Sequence, residues 1–227
     1  MKRINLFLLA MVCSIMAFAQ PAGEPTKLIP EKEEVDKDNF IIDLYTSHWL
    51  EAPDELKMRG YSLGFNFAFM KEYAFTKTSP FRFAWGVGFA SHNVHNNGHF
   101  IHNEEDDFTE FQTFAATEEV EKNKLSMNYI EVPIELRFRT RNDAKFRIYA
   151  GFKGGVLVNV HSKTVYEDKT IKQKGFENTA TFRYGPTARI GFKKVSLFAF
   201  YSLSEVFEPG DGVKLIPVSA GLTFFLP

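Results

Sequence analysis

The chain has 227 residues, with 27 Lys and Arg against 28 Asp and Glu and a formal net charge of −1. A charge so near balance argues against a nucleic-acid binder, and a lone cysteine, Cys13, leaves no disulfide, thiolate metal site or cysteine nucleophile once the first residues are removed. Mean hydropathy is slightly negative, which points away from helical membrane spans, but the 25 Phe suit a lipid-facing band better than a cytosolic enzyme core, and alternating barrel strands escape a hydropathy scan.

The chain opens Met1-Lys2-Arg3, then runs apolar from Ile4 to Ala19 and closes on Ala17-Phe18-Ala19. This predicts a signal peptide over 1–19, cleaved after Ala19. The run is shorter than the ~20 residues of a spanning helix. Val12 stands before Cys13 where a lipidation signal wants a small residue, which argues against a lipid anchor. Residues 20–38 are Pro-rich, charged and without period, and predict a flexible periplasmic segment.

From 39 to 227 the pattern has period two with turn clusters between segments. The first segment, 40–50, sets Phe40, Ile42 and Leu44 against Asp43, Tyr45 and Ser47. The second, 59–70, puts Tyr61, Leu63, Phe65, Phe67 and Phe69 on one face. The third, 80–90, does so with Phe81, Phe83, Trp85, Val87 and Phe89. The fourth, 126–139, opposes Ile130, Val132, Ile134, Leu136 and Phe138 to Glu131, Pro133, Glu135, Arg137 and Arg139. In the fifth, 145–160, Phe146, Ile148, Phe152, Val156 and Val158 oppose Arg147, Lys153 and Gly155. The sixth, 181–192, sets Phe182, Tyr184, Ile190 and Phe192 against Arg183, Thr187 and Arg189. The seventh, 195–203, is apolar on both faces and has no readable orientation. The eighth, 215–226, sets Ile216, Val218, Leu222, Phe224 and Leu226 against Ser219, Gly221 and Thr223.

The large residues share one face; Gly, Ser, Ala and charges share the other. A narrow soluble barrel fills its interior with apolar side chains, and the Phe face is too bulky for that. Turned to lipid, it leaves the small and charged residues inside, as in small outer-membrane barrels. Connections alternate too: 73–79, 140–144 and 193–194 are short, while 51–58, 91–125, 161–180 and 204–214 are mostly long. The prediction is an all-β, eight-stranded antiparallel up-and-down transmembrane β-barrel over 39–227, with both termini in the periplasm of a bacterial outer membrane.

Tyr129-Ile130-Glu131-Val132-Pro133-Ile134, followed by Glu135-Leu136-Arg137-Phe138, resembles the Tyr-Leu/Ile-Glu-Ile/Val-Pro strand of the PorT-like outer-membrane β-barrel family of Bacteroidetes. Tyr149-Ala150-Gly151-Phe152-Lys153-Gly154-Gly155, Arg189-Ile190-Gly191-Phe192 and the closing Ser219-Ala220-Gly221-Leu222-Thr223-Phe224 are similar to later strands of that family. The resemblance covers most of the mature chain. It implies an eight-stranded barrel of the OmpA/OmpX kind; most members have no assigned activity, and one branch serves type IX secretion.

Three constellations could carry chemistry. His92, His95, His99 and His102 lie beside Glu104, Glu105, Asp106 and Asp107 in the long outer loop; imidazole and carboxylate suit transition ions, although the spacing matches no fixed site. Asp43, Arg82, Glu131, Glu135, Arg137, Lys145, Arg147, Lys153, Arg183 and Arg189 fall inside the barrel. They predict a plug of ion pairs rather than an ion path, with Glu131 and Glu135 meeting arginines of the neighbouring strand. A lipid hydrolase of the barrel kind needs Ser and His on the same lipid-facing side near the outer leaflet. Ser47-His48 and Ser91-His92 are adjacent and so point to opposite faces, which leaves a cross-strand pairing between those two segments as the route to such a site. Tyr45, Trp49, Tyr73, Trp85 and Tyr201 are candidates for interface girdles. The expected function is a structural, binding or secretion-accessory role, with no catalysis and no cofactor. The expected partners are outer-membrane lipid, lipopolysaccharide and an envelope or secretion-machinery protein. The competing readings are an outer-leaflet lipid hydrolase and a small pore.

Overall fold

The structure, a computed structural model, describes residues 39–76, 79–140 and 145–226. The expected leader, the 20–38 segment, the tip of the 140–144 turn and Pro227 lie outside the described residues. The strands are β1 (Phe40–Leu50), β2 (Leu63–Ala74), β3 (Phe81–His95), β4 (Gly98–Asn103), β5 (Phe108–Thr113), β6 (Val120–Arg139), β7 (Phe146–Tyr166), β8 (Thr170–Lys174), β9 (Phe182–Phe192), β10 (Val195–Tyr201) and β11 (Ile216–Leu226).

Eight of these close a barrel. The order runs β1–β2–β3–β6–β7–β9–β10–β11 and returns to β1 through the Phe40–Leu226 to Leu50–Ile216 ladder. Every pairing is antiparallel. Closure pairs the backbone of each strand on both sides, which a structure in hydrocarbon requires.

The Phe faces point outward. Phe65, Phe67, Phe69, Phe83, Trp85, Ile134, Leu136, Ile148, Phe182, Ile190 and Leu222 are all exposed. β10 acquires an orientation that its sequence hides. Val195, Leu197 and Tyr201 face out, while Phe198 and Phe200 are buried inside. Their rings lie beneath cations: Arg189 stands 4.8 Å from the Phe198 centroid and Lys153 stands 4.4 Å from that of Phe200. An apolar inner face thus serves a charged interior. Tyr73, Trp85 and Tyr201 face outward, but Tyr45 and Trp49 are buried in the lumen and so are not girdle residues.

β2 starts later than its sequence pattern suggests, because Arg59–Ser62 forms a turn closed by the Ser62 amide and hydroxyl donating to the Arg59 carbonyl. β3, β6 and β7 run further outward than expected. β7 leaves β9 at Val156–Phe182 and takes β8 as its partner from His161 to Val165. β4 and β5 form a hairpin over the outer mouth. Thr109 ties the hairpin to the β10–β11 connection, donating its amide to Asp211 and accepting from Val213. Beneath it sits an apolar core of Trp49, Leu56, Val94, Phe100, Leu125, Met127, Val206, Phe207 and Leu215. The expected long loops at 91–125 and 161–180 are therefore largely strand, forming a folded cap.

Candidate functional site

The inner half of the lumen is filled by ion pairs, each set by strand alternation. On β2 the inward series Asn66, Ala68, Met70 continues to Glu72, which gathers Arg82 (2.7 Å), Arg137 (2.8 Å) and Arg139 (3.2 Å). Glu135 takes Arg137 Nε at 2.8 Å and also Arg189 Nη1. Arg189 spans to Asp43 at 2.8 Å, and Asp43 accepts further hydrogen bonds from Asn66 Nδ2 and Thr223 Oγ1. Nearer the outer mouth, Glu131 takes Lys153 at 2.9 Å and Arg183. Arg183 also lies 4.0 Å from the Tyr129 centroid, and Arg147 lies 4.9 Å from that of Phe225.

The partners differ from expectation in one respect. The arginines on Glu131 and Glu135 come from β9, one strand beyond the neighbour, and from β6 itself; only Lys153 is on adjacent β7. A narrow lumen lets long guanidinium arms reach past the next strand. Lys145 stands just before β7, half-buried, at a φ of 42°. Glu72 and Arg139 are network members absent from the sequence-derived set. Glu72 was legible, since it keeps the inward parity two residues past Met70.

Above the ion pairs, Tyr45, Gly64 and His92 are directly opposed on β1, β2 and β3. A Cβ on Gly64 would lie 2.3 Å from the Tyr45 ring, so the bare glycine lets that ring cross β2. Tyr45 Oη then meets His92 Nε2 at 3.0 Å, while Ser47 Oγ meets Nδ1 at 3.1 Å. The cross-strand Ser–His pairing between the two segments is thus present, and it lies buried inside the barrel rather than on the lipid face.

The four loop histidines do not converge. His92 is in the lumen, and His95 packs on Tyr61 at the outer end of β3. His99 packs on Phe114, and His102 meets Glu177 at 2.9 Å. Strand alternation and the break between β3 and β4 separate them. Among the described residues no group of three or more His, Cys, Asp or Glu is arranged to hold a metal ion, so the expected metal cluster is corrected to four separate packing positions. His102 instead lines a cleft of roughly 510 Å³ between the β4–β5 hairpin and β7–β8, together with Phe114, Tyr166, Gln173, Phe176 and Glu177.

A family model described as an outer membrane protein beta-barrel domain matches residues 41–207. No curated protein matches the chain. Among solved structures, Ail, the attachment invasion locus protein of Yersinia pestis, is similar at 15% identity over 82% of this chain and 96% of that chain, with a TM-score of 0.34. With its strands closed into a barrel and most of its length matched, the chain belongs to the outer-membrane β-barrel domain family.

Proposed function

We propose that the protein is a sealed, non-catalytic outer-membrane barrel whose work is done by its outer cap, which engages a partner at the cleft beside the β4–β5 hairpin. One observation carries this reading. Above the membrane band the strands exchange a charged interior for an apolar one, Trp49 to Leu215, so the outer part is built like a soluble binding unit on a membrane stem. The cleft offers aromatic rings, an amide and the His102–Glu177 pair to a polar ligand. Ion pairs and apolar core lie in series along the lumen, which favours a plug over a conduit.

Planar-bilayer recording tests the sealed barrel: the full-length protein gives no conductance steps above background. Discrete steps would install the small-pore reading. A lipid hydrolase is the disfavoured alternative, because the Ser47–His92 contact lies buried inside the barrel, away from lipid. That reading requires lipid release from outer-membrane vesicles that Ser47→Ala abolishes.

The finer identity follows the same proposal. The Tyr129–Pro133 strand motif supports a PorT-like member from Bacteroidetes with a secretion-accessory role, and the basic start, apolar run and Ala17-Phe18-Ala19 support its export through a leader cleaved after Ala19. Deleting residues 20–38 while the heat-shifted barrel band persists is expected to impair cargo export. Unchanged export would remove that role.

A further inference from the structure

The outward face of the cap carries a row of bases in direct register. His95 on β3 opposes Lys124 on β6, Lys124 opposes Lys163 on β7, and Lys163 opposes Lys172 on β8. Two residues nearer the membrane the next row reads Asn93, Ser126, His161 and Lys174. Strands about 4.8 Å apart make each row about 14 Å long.

Like charges directly opposed across a sheet destabilise it. Here three lysines are opposed in succession, and among the described residues none of Lys122, Lys124, Lys163, Lys172 and Lys174 forms an ion pair with a carboxylate. The carboxylates of this stretch, Glu118, Glu119, Glu121, Glu167 and Asp168, lie toward the tips of the strands, beyond the row. Burial, then the charges of Lys163 and Lys172, hold the Lys124 ammonium below its usual range. His161 is lowered by burial, then by Lys124, Lys172 and Lys174. Lys124 is also fixed in place, its Nζ donating to Asn93 Oδ1 at 2.7 Å.

The position of the rows selects the anion. The lipid-facing side chains end at Ile130 on β6 and Val158 on β7. Ser126 and Lys124 are four and six residues further out, which at about 3.3 Å per residue and a tilt near 45° puts the rows roughly 9–14 Å above the hydrocarbon. Phospholipid headgroups fill only about 5–7 Å there. A glycolipid whose phosphates and carboxylates are carried on sugars reaches the rows.

We propose that His95, Lys124, Lys163, Lys172, His161 and Lys174 form a lateral binding site for the acidic sugar headgroup of lipopolysaccharide in the surrounding outer leaflet. This goes beyond the cap-binding role above and rests only on the barrel's place in the outer membrane. The anion supplies the countercharge that the cap lacks, and the cap is tied to the leaflet it stands on.

The test uses the full chain in phosphatidylcholine micelles doped with rough, inner-core-phosphorylated lipopolysaccharide, measuring the glycolipid that stays bound through gel filtration. The wild type retains it. Substituting Lys124→Gln, Lys163→Gln and Lys172→Gln together lowers affinity on the order of a hundredfold, at about 1 kcal/mol per removed charge. Lys193→Gln with Lys194→Gln, in the short turn before β10, has no effect. If the triple variant loses the heat-shifted band of a folded barrel, Lys172→Gln alone, on edge strand β8, takes its place with an expected severalfold loss. Phosphatidylglycerol at equal charge and millimolar inorganic phosphate both fail to displace the glycolipid. Equal retention by the lysine variants overturns the site. Displacement by phosphatidylglycerol or free phosphate overturns the assignment to lipopolysaccharide.

Discussion

Within the membrane band, the strands put Phe and Leu outside and ion pairs inside. A few residues further out, β3, β6 and β7 put Val94, Leu125 and Met127 inside and His95, Lys124 and Lys163 outside. Neither region obeys its own rule of polarity; both obey the solvent around them. Lipid rewards an apolar exterior and leaves a narrow lumen for compensated charge, and water rewards an apolar core. The contrast also separates two kinds of electrostatics. In the lumen each carboxylate sits against cations, while along the outward rows of β3, β6, β7 and β8 cations sit against one another.

The sharpest way to break the comparison is to unbalance the lumen. Glu135→Ala leaves Arg137 and Arg189 without their shared carboxylate. Removing one side of a buried pair costs about 3–5 kcal/mol. Urea unfolding in vesicles should show a fall of that order, and a loss under ~1 kcal/mol would mean that water or counter-ions reach the lumen. On the cap, Leu125→Ala should cost about 2–5 kcal/mol with a different signature. Hydrogen exchange should accelerate in β4, β5 and the outer end of β6, while the barrel keeps its resistance to SDS.

That difference bears on what could be read from the sequence. Seven of the eight barrel strands were legible because Phe, Ile and Leu alternate with small or charged residues for the full depth of the band; β10, apolar on both faces, was legible as a strand but not in its orientation. The cap was not, because the alternation changes phase where the solvent changes. On β6 the apolar series Ile134, Val132, Ile130 gives way to Tyr129, Met127, Leu125, one residue out of step. Followed in one phase, the strand fades at Ser126 and a loop is expected beyond it, although the strand continues to Val120. The interior charges were legible by parity, Glu72 included. Their pairing was not, since parity says which face a side chain takes and nothing of how far an arginine reaches across a closed lumen. The histidine cluster misled for the same reason: nearness in sequence was taken for nearness in space, and alternation undid it.

A smaller effect sharpens the boundary between the two regions. Gly64 lies where the ionic lumen ends and the Tyr45–His92–Ser47 contact begins. Gly64→Ala would push its Cβ into the Tyr45 ring and the Ser91 carbonyl, an overpacking worth about 1–3 kcal/mol. Tyrosine fluorescence and unfolding should change together. If stability falls while Tyr45 keeps its environment, the strain has been taken up by the backbone of β3 instead.

The smallest expected effect is on pH, and it belongs to the cap alone. His95 and His161 are both held below the ordinary imidazole range, by burial first and then by neighbouring bases: Lys124, Arg59 and Lys122 for His95, and Lys124, Lys172 and Lys174 for His161. A base whose folded value is depressed favours the folded state while neutral. That contribution is full above the unfolded value, near 6.5, and is lost as pH falls below it and through the folded value. Acidification from pH 7.5 to 5.5 adds positive charge to rows that already lack a counter-ion. Exchange in β8 and its partner stretch of β7 should therefore quicken, while the barrel ladders stay protected. Bound lipopolysaccharide reverses the sign, because each new imidazolium then faces an anion. If β8 responds to acid identically with and without the glycolipid, the histidines do not share a site with it.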